Sequence, residues 1–173
     1  MNYSRGLLVL ACSAALAANA ADKTVTINAI SNEGIGISIG MIKFSDTDDG
    51  LLITPSLSDL TPGPHGFHIH EKPDCSPAEK DGKKLAGLAA GGHFDPFKSN
   101  HHEGPEGQGH QGDLPALMVN EDGTASRVLS APRLKLENIV GHAVMIHEGS
   151  DNYSDEPKPL GGGGARIACG VIE

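Results

Sequence analysis

Apolar and polar residues alternate over short stretches along most of the chain, a pattern typical of half-buried β-strands. Val25, Ile27 and Ala29 are predicted to share one face of a first strand, and alternate apolar positions from Ile35 to Met41 do so in a second. No stretch keeps a helical period, and Asn-Glu-Asp-Gly at 120–123 predicts a hairpin turn. Further strands are predicted at 51–57, 66–70, 114–119, 124–130, 133–137, 142–147 and 165–172. We therefore expect an all-β, antiparallel barrel or sandwich of about eight strands.

Two long segments, 71–112 and 148–164, interrupt this pattern, and the second ends in four glycines. Loops of such length in a compact domain are usually functional or disordered, and neither has the charge blocks that favour disorder. Residues 91–115 hold four of the nine histidines but little that forms a helix or strand. Such a loop has no backbone ladder to offset its ordering entropy, so we predict that a metal ion fixes it.

The N-terminus has the pattern of a secretory leader. Arg5 is the positive residue, 7–18 is the apolar run, and Ala-Asn-Ala ending at Ala20 is the cleavage site. We expect a cleaved signal peptide at 1–20 and one mature domain at 21–173, with no segment suited to span a membrane. Cys12 is also compatible with a lipoprotein processing site, but the apolar run before it is short, which favours the soluble interpretation.

The cysteine count and the composition indicate whether a disulfide forms and which class of binding partner can be excluded. Without the leader, Cys75 and Cys169 remain, and an even pair in an exported protein indicates a disulfide; the alternative is two unrelated buried thiols. The formal net charge is −9 and only 3% of residues are aromatic. Such a chain lacks the basic face and stacking residues of a nucleic-acid binder, so we exclude that class.

The segment Gly-Phe-His-Ile-His at 66–70 is the first candidate for chemistry. Residues two apart on a strand lie on one face, so His68 and His70 are predicted to project together as half of a metal site. The alternative is two exposed histidines on a solvent face. His147 ends another strand-like run, His-Ala-Val-Met-Ile-His, and is placed to complete the set.

The loop offers further ligands, which meet only if the loop folds back on itself. Three histidines and one carboxylate suit a four-coordinate zinc ion. A mainly imidazole set on a rigid strand suits copper at least as well. Spacing alone leaves both His101 and His102 open. The candidates are His93, His102 (or His101), His110 and Asp113.

Six ordered motifs together resemble the copper–zinc superoxide dismutases, especially the secreted bacterial branch, over residues 24–173. The resemblance implies an eight-stranded Greek-key β-barrel, a periplasmic location, and one copper and one zinc ion per subunit. It also implies disproportionation of superoxide to dioxygen and hydrogen peroxide by a redox-cycling copper, which protects the cell envelope. The motifs are GFHIH, GGHFDP, HEGP, GHQGDL, MIHEG and GGGGARIACGVI.

The resemblance also implies a role for each residue. Its His-x-Gly-Pro pattern selects His102 over His101, and His93 becomes a catalytic imidazolate that bridges both metals. Asp151, which alone would pass as a turn residue, matches the carboxylate that hydrogen-bonds a ligand of each metal. The implied copper ligands are His68, His70, His93 and His147, and the implied zinc ligands are His93, His102, His110 and Asp113.

Arg166 resembles the family's catalytic arginine, which attracts the superoxide anion beside copper, although alone it would pass as a surface cation. Lys80, Lys83 and Lys84 are candidates for outer steering charges and are equally compatible with ordinary solvated lysines. His65 and His142 match no ligand position. The rival function is an exported, non-catalytic copper or zinc buffer or chaperone on the same fold, which has no need of a bridging histidine and Arg166. Both a monomer and a homodimer fit the sequence.

Overall fold

The computed structural model describes residues 22–173, and these form an all-β structure. The proposed leader, Cys12 and Ala21 lie outside the described residues. One short helix, α1 (Leu136–Ile139), and two 3-10 turns, Leu88–Ala90 and Leu160–Gly162, accompany the strands. The strands are β1 (Asp22–Ser31), β2 (Gly34–Thr47), β3 (Gly50–Leu57), β4 (Gly63–His65), β5 (Phe67–His70), β6 (Ala78–Lys80), β7 (Lys83–Leu85), β8 (Leu117–Val119), β9 (Leu129–Ala131), β10 (His142–His147) and β11 (Arg166–Ile172).

Seven strands form one curled antiparallel sheet in the order β5-β10-β11-β1-β2-β3-β9, and β4 pairs with β8 beside it. The expected all-β Greek-key barrel is confirmed. Its interior is filled by the inward residues of the alternating strands, among them Phe44, Ile53, Phe67 and Ile69, each with no exposed surface. Burial of each such side chain contributes about 1.5–3 kcal/mol. In residues 22–173, no helix is long and apolar enough to cross a membrane.

The face of β2 differs from the prediction. Ile39 is buried, but Ile35, Ile37 and Met41 are each more than half exposed. Gly40 pairs with β1 residue 27 and Ser38 with residue 28, so Ile39 is an extra residue without a partner on β1. This β-bulge shifts the alternation by one residue, so that Ile42 and Phe44 face the core beyond it.

Two other predicted elements are wrong or incomplete. The strand predicted at 133–137 is replaced by α1, because Asp46 Oδ1 accepts a hydrogen bond from Leu136 N at 2.7 Å and starts a helical turn. Leu136 and Ile139 then face the core together at helical spacing. The turn at 120–123 forms, but its flanking strands pair elsewhere, β8 with β4 and β9 with β3. Of the predicted strand 124–130, only residues 129 and 130 lie in a strand, β9.

The two long loops occur where the sequence predicts them. The first contains the small hairpin β6–β7 and one 3-10 turn, and the segment 91–115 is otherwise irregular. The predicted disulfide between Cys75 and Cys169 is confirmed, and its cysteines lie 94 residues apart in sequence. It joins the front of the first loop to β11, close to the histidine-bearing strands β5 and β10.

Candidate metal centre

Strands β5 and β10 carry three of the predicted ligands. His68 and His70 lie on β5 opposite Met145 and Ala143 of β10, and all four residues of β5 are buried. His147 is the last residue of β10, and a register shift against β11 between residues 146 and 147 turns its side chain toward His68 and His70. The strand ladder thus fixes the backbone of each of these histidines before any ion is bound.

In each of these rings, one nitrogen is hydrogen-bonded to the protein, and the other nitrogen is therefore free to bind a metal. His68 Nε2 donates to Asp151 Oδ2 at 2.7 Å, and His70 Nδ1 donates to the carbonyl of Gly91 at 3.0 Å. His147 Nδ1 donates to the carbonyl of Gly164 at 3.3 Å. This network assigns a lone pair to His68 Nδ1 and to Nε2 of the other two rings.

These lone pairs converge in a way that fits a cation. His70 Nε2 and His147 Nε2 lie 3.4 Å apart, each with its proton on the opposite side of the ring. His68 Nδ1 and His93 Nε2 are buried, with no hydrogen-bond partner within residues 22–173. One nitrogen from each of these four histidines lies within 4.8 Å of the others. Buried lone pairs facing one another are unfavourable unless a proton or metal lies between them, so this set fits a nitrogen-ligated copper ion.

The protonation of this set also favours a metal. Burial, together with the charge of His93, holds the pKa of His68 and His70 well below the usual 6.5. Burial and the same neighbour lower the pKa of His147 to about 4. All three imidazoles are therefore neutral at pH 7, which is the form that coordinates metal.

A second set is built around Asp113. His93 Nδ1 lies 2.9 Å from Asp113 Oδ1, and His102 Nδ1 lies 2.8 Å from Asp113 Oδ2. His110 Nδ1 is 3.4 Å from Asp113 Oδ1, and neither it nor His102 Nδ1 has a hydrogen bond of good geometry within residues 22–173. Three buried imidazole nitrogens around one carboxylate fit a tetrahedral zinc ion.

Charge compensation distinguishes this second set. Burial alone would lower the pKa of His102, but the nearby carboxylates of Asp113 and Asp151 outweigh it and raise the pKa to about 9. Burial would raise the pKa of Asp113, but the adjacent imidazoles of His102, His110 and His93 hold it well below its usual range. Without zinc, a proton on His102 therefore balances the buried carboxylate at neutral pH.

His93 belongs to both sets. The second group of side chains whose ligand atoms lie within 4.8 Å of one another contains His68, His93, His102 and Asp113, and His110 is not part of it. His68 Nε2 is already bonded to Asp151, so His68 has one free nitrogen and serves one ion. His93 instead has Nδ1 beside Asp113 and Nε2 without a partner in the described chain. Its two nitrogens can thus face two different ions, which is the geometry that a bridge requires.

Asp151 links the two halves as the resemblance implies. Its Oδ2 accepts from His68, and its Oδ1 accepts from His102 Nε2 at 2.8 Å. The run of glycines is needed for this contact, since a Cβ at Gly161, whose φ is +70°, would lie 2.0 Å from Asp151 Oδ1. Asp155, which no sequence pattern indicated, accepts from His102 N at 2.9 Å and from Leu160 N at 3.0 Å.

Arg166 lies at the mouth of the first set. Its Nη1 donates to Gly87 O at 2.5 Å and its Nη2 to Gly91 O at 2.6 Å, so it shares the Gly91 carbonyl with His70. It lines a cavity of about 240 Å³ with His70, His93, His147, Pro159, Leu160 and Gly164. Arg166 also lines a larger cavity of about 450 Å³, whose wall contains no histidine. The disulfide holds the loop that supplies Gly87 and Gly91 beside this arginine.

The remaining histidines act on the backbone. The two ring nitrogens of His65 lie within hydrogen-bond distance of backbone carbonyls, Nδ1 at 2.7 Å from His147 O and Nε2 at 2.8 Å from Thr61 O. His142, to which the sequence assigned no role, donates to Glu71 O at 2.9 Å and to His70 O at 3.2 Å. His101 is part exposed and bonds to a loop carbonyl. The three candidate steering lysines are exposed on the β6–β7 hairpin and do not line the cavity at Arg166: Lys80, Lys83 and Lys84.

Known proteins match this chain in sequence and in fold. The profile of the copper/zinc superoxide dismutase (SODC) family matches residues 38–172. The Superoxide dismutase [Cu-Zn] of Escherichia coli (strain K12) is 55% identical over 168 residues, covering 96% of this chain and 97% of that protein. The Cu/Zn superoxide dismutase structure from Brucella abortus superposes with a TM-score of 0.87 at 52% identity, covering 88% of this chain and 100% of the other.

A solution structure of the monomeric copper, zinc superoxide dismutase from Salmonella enterica superposes with a TM-score of 0.80 at 55% identity. It covers 88% of this chain and 100% of that one. The matches therefore extend over the barrel, both long loops and every predicted ligand. The chain belongs to the copper/zinc superoxide dismutase family.

Proposed function

We propose that this protein disproportionates superoxide to dioxygen and hydrogen peroxide with one copper and one zinc ion per subunit. The observation that carries the proposal is His93, which places one ring nitrogen in each of two buried ligand sets. The copper ligands are His68, His70, His93 and His147, and the zinc ligands are His93, His102, His110 and Asp113.

Bound copper would supply the redox chemistry, taking an electron from one superoxide anion and giving it to a second. Two superoxide anions and two protons then become one dioxygen and one hydrogen peroxide. His93 would hold and release one of these protons at Nε2, which is buried and has no hydrogen-bond partner among residues 22–173.

Arg166 would bind and orient the substrate. Two of its N–H groups are held by Gly87 and Gly91, which fixes the guanidinium plane at the cavity wall and leaves its other donors available to an anion. The net charge of the chain is −9, so attraction of an anion depends on this local cation and not on the protein's overall charge. The cavity has room for a diatomic anion beside Arg166.

Arg166 also separates the enzyme from its rival, a non-catalytic copper or zinc protein on the same fold. Arg166→Ala should leave copper and zinc content unchanged and lower the rate of superoxide decay by about tenfold or more. Arg166→Lys should be intermediate because it keeps the charge but loses the planar donors, and Arg166→Glu should be slowest. The rate of the unaltered protein should fall as ionic strength rises.

Pulse radiolysis on fully metallated protein measures these rates. Arg127→Ala is the matched control, since Arg127 is exposed and makes no hydrogen bond or ion pair among residues 22–173. Equal rates for the Ala, Glu and unaltered proteins at position 166 would remove the substrate-guiding step. Superoxide decay no faster than the uncatalysed rate in the presence of the metallated, unaltered protein would favour the buffer or chaperone.

We further propose that residues 1–20 are a cleaved signal peptide and that 21–173 acts in the periplasm, where it protects the cell envelope from superoxide. Support comes from the leader pattern and from the disulfide, which persists in oxidising compartments. The intact mass of the exported protein should equal that of residues 21–173 with one disulfide, and a thiol assay of the unfolded protein without reductant should detect no free thiol. A mass that begins at a lipidated Cys12 would overturn this proposal. Sedimentation of the metallated protein distinguishes a monomer, as in the Salmonella enterica relative, from a homodimer.

A further inference from the structure

Residues 104–110 connect two of the proposed zinc ligands and form no helix or strand. A backbone without a ladder must satisfy its carbonyls with side chains or water. Four carbonyls of this segment point at one residue outside the loop, Arg133. Its Nε donates to Pro105 O at 2.9 Å, its Nη1 to Gly109 O at 3.2 Å, and its Nη2 to Gly104 O at 3.2 Å and to His110 O at 2.6 Å.

The geometry requires arginine. A guanidinium has five N–H donors in one rigid plane, and these four bonds use all of them except one. An ammonium group has three donors on one freely rotating atom and cannot reach carbonyls spread over several residues in fixed directions. The contacted carbonyls lie at both ends of the segment. The single side chain of Arg133 therefore holds the two ends close together and also fixes the direction of their carbonyl groups.

Arg133 is itself held by the barrel. The next residue, Leu134, is 1% exposed and packs in the core, and its N–H donates to Ala131 O, at the end of β9, at 3.2 Å. In the opposite direction, Gln111 Nε2 of the loop donates to Arg133 O at 3.1 Å. The arginine and the loop therefore contact each other through both side chain and backbone. The barrel residues that hold Arg133 in place do so without zinc.

We propose that Arg133 is the positioning residue of the zinc-binding loop: its four hydrogen bonds hold residues 104–110 in the conformation that presents His102, His110 and Asp113 to zinc. His110 connects Arg133 to the proposed zinc site, because its carbonyl accepts a hydrogen bond from Arg133 while its ring nitrogen lies near Asp113. The inference rests on the proposed zinc ligands and adds a residue that touches neither ion nor substrate.

The test is the rate of zinc release from the copper- and zinc-loaded protein into an excess of a chromophoric chelator. Loss of partners that orient metal ligands typically weakens a site 10–100-fold, so Arg133→Met should release zinc about 10–100 times faster. Arg133→Lys, which keeps the charge and the stem, should fall between Met and the unaltered protein. Arg127→Met is the matched control and should match the unaltered rate.

A purely structural arginine would behave differently. Cobalt(II) placed in the zinc site should show shifted visible bands in Arg133→Met but not in Arg127→Met, and added guanidinium should partly restore slow release. Release rates within twofold of the unaltered protein, with unshifted cobalt bands, would overturn the inference. Asp113→Ala tests the proposed zinc ligands separately from the role of Arg133. If Asp113→Ala releases zinc at the unaltered rate, the proposed ligand set is wrong. If Asp113→Ala releases zinc faster but Arg133→Met does not, the ligand set is correct and the positioning role of Arg133 is wrong.

Discussion

The proposed copper half and the proposed zinc half of this centre take their side chains from different kinds of structure. His68, His70 and His147 lie on paired strands, where ladder hydrogen bonds fix the backbone. His102, His110 and Asp113 lie on a loop without a ladder, where Arg133 and Asp155 supply the missing constraints. A strand can therefore present a metal site by its pleat alone, whereas a loop needs side chains from elsewhere to achieve the same precision.

The halves also differ in charge. The copper half contains imidazoles whose pKa values burial has lowered, so without an ion it is a set of neutral lone pairs. The zinc half contains the buried carboxylate of Asp113, and the raised pKa of His102 shows how the metal-free protein compensates for it. Electrostatic compensation thus belongs mainly to the loop, and rigid geometry mainly to the sheet.

The largest effect that separates the halves is expected from Asp113→Asn. It removes the anion among the zinc ligands while keeping the shape of the side chain, so zinc affinity should fall by about 100-fold or more. Copper affinity should fall by less than about tenfold, because the strands and not the loop hold most of its ligands. Competition titrations with chelators measure both affinities. Asp122→Asn, in the exposed turn where Asp122 accepts from Thr124, is the control, and equal losses for both metals would break the comparison.

A smaller effect, shared by both halves, is expected from Asp151→Ala. Each of its oxygens anchors one ring, His68 on the copper side and His102 on the zinc side, so the affinity for each metal should fall about tenfold. Asp155→Ala offers a contrast, since Asp155 accepts from the backbone N–H groups of His102 and Leu160 and from no ligand ring, so its loss should weaken zinc binding more than copper binding. The same titrations apply, and loss of a single metal in Asp151→Ala would show that it does not connect the halves.

The smallest effect is the pH dependence of the metal-free protein, to which the halves contribute in opposite directions. The lowered pKa values on the copper side give stability that is complete above pH 6.5 and is lost as the pH falls toward about 4, the pKa of His147. The raised pKa of His102 gives stability that is complete below pH 6.5 and is lost as the pH rises through about 9.

Zinc should abolish the alkaline loss, because neutral His102 is then a ligand. Urea unfolding between pH 4 and pH 9, with and without zinc, measures both limbs. A metal-free protein whose unfolding free energy is constant from pH 6.5 to pH 9 would contradict the proposed compensation by His102.

The copper half was the easier to predict from sequence. A two-residue spacing on a strand places His68 and His70 side by side, and strand periodicity is a local property. The loop ligands needed the family's motifs, because spacing alone left His101 and His102 equivalent. The resemblance also pointed to Asp151, whose bond to His68 spans 83 residues of sequence and has no local signal.

Other features were beyond sequence reasoning for the same physical reason. The bulge at Ile39 depends on the register of β2 against β1, and α1 replaces a predicted strand because Asp46, 90 residues earlier, starts it. Arg133 stands within that wrongly predicted strand, so nothing marked it as a partner of the loop. Such contacts are set by which distant segments the barrel brings together, and a periodicity of two or 3.6 residues does not record them.

The sharing of His93 between two ions is tested most directly by the copper electron paramagnetic resonance spectrum, recorded before and after zinc is removed from the protein loaded with both. Since one imidazole would join the ions, removal of zinc should change the g values and hyperfine splitting while the copper content stays constant. A copper spectrum unchanged after complete removal of zinc would mean that two independent sites exist, and the bridge through His93 would be contradicted.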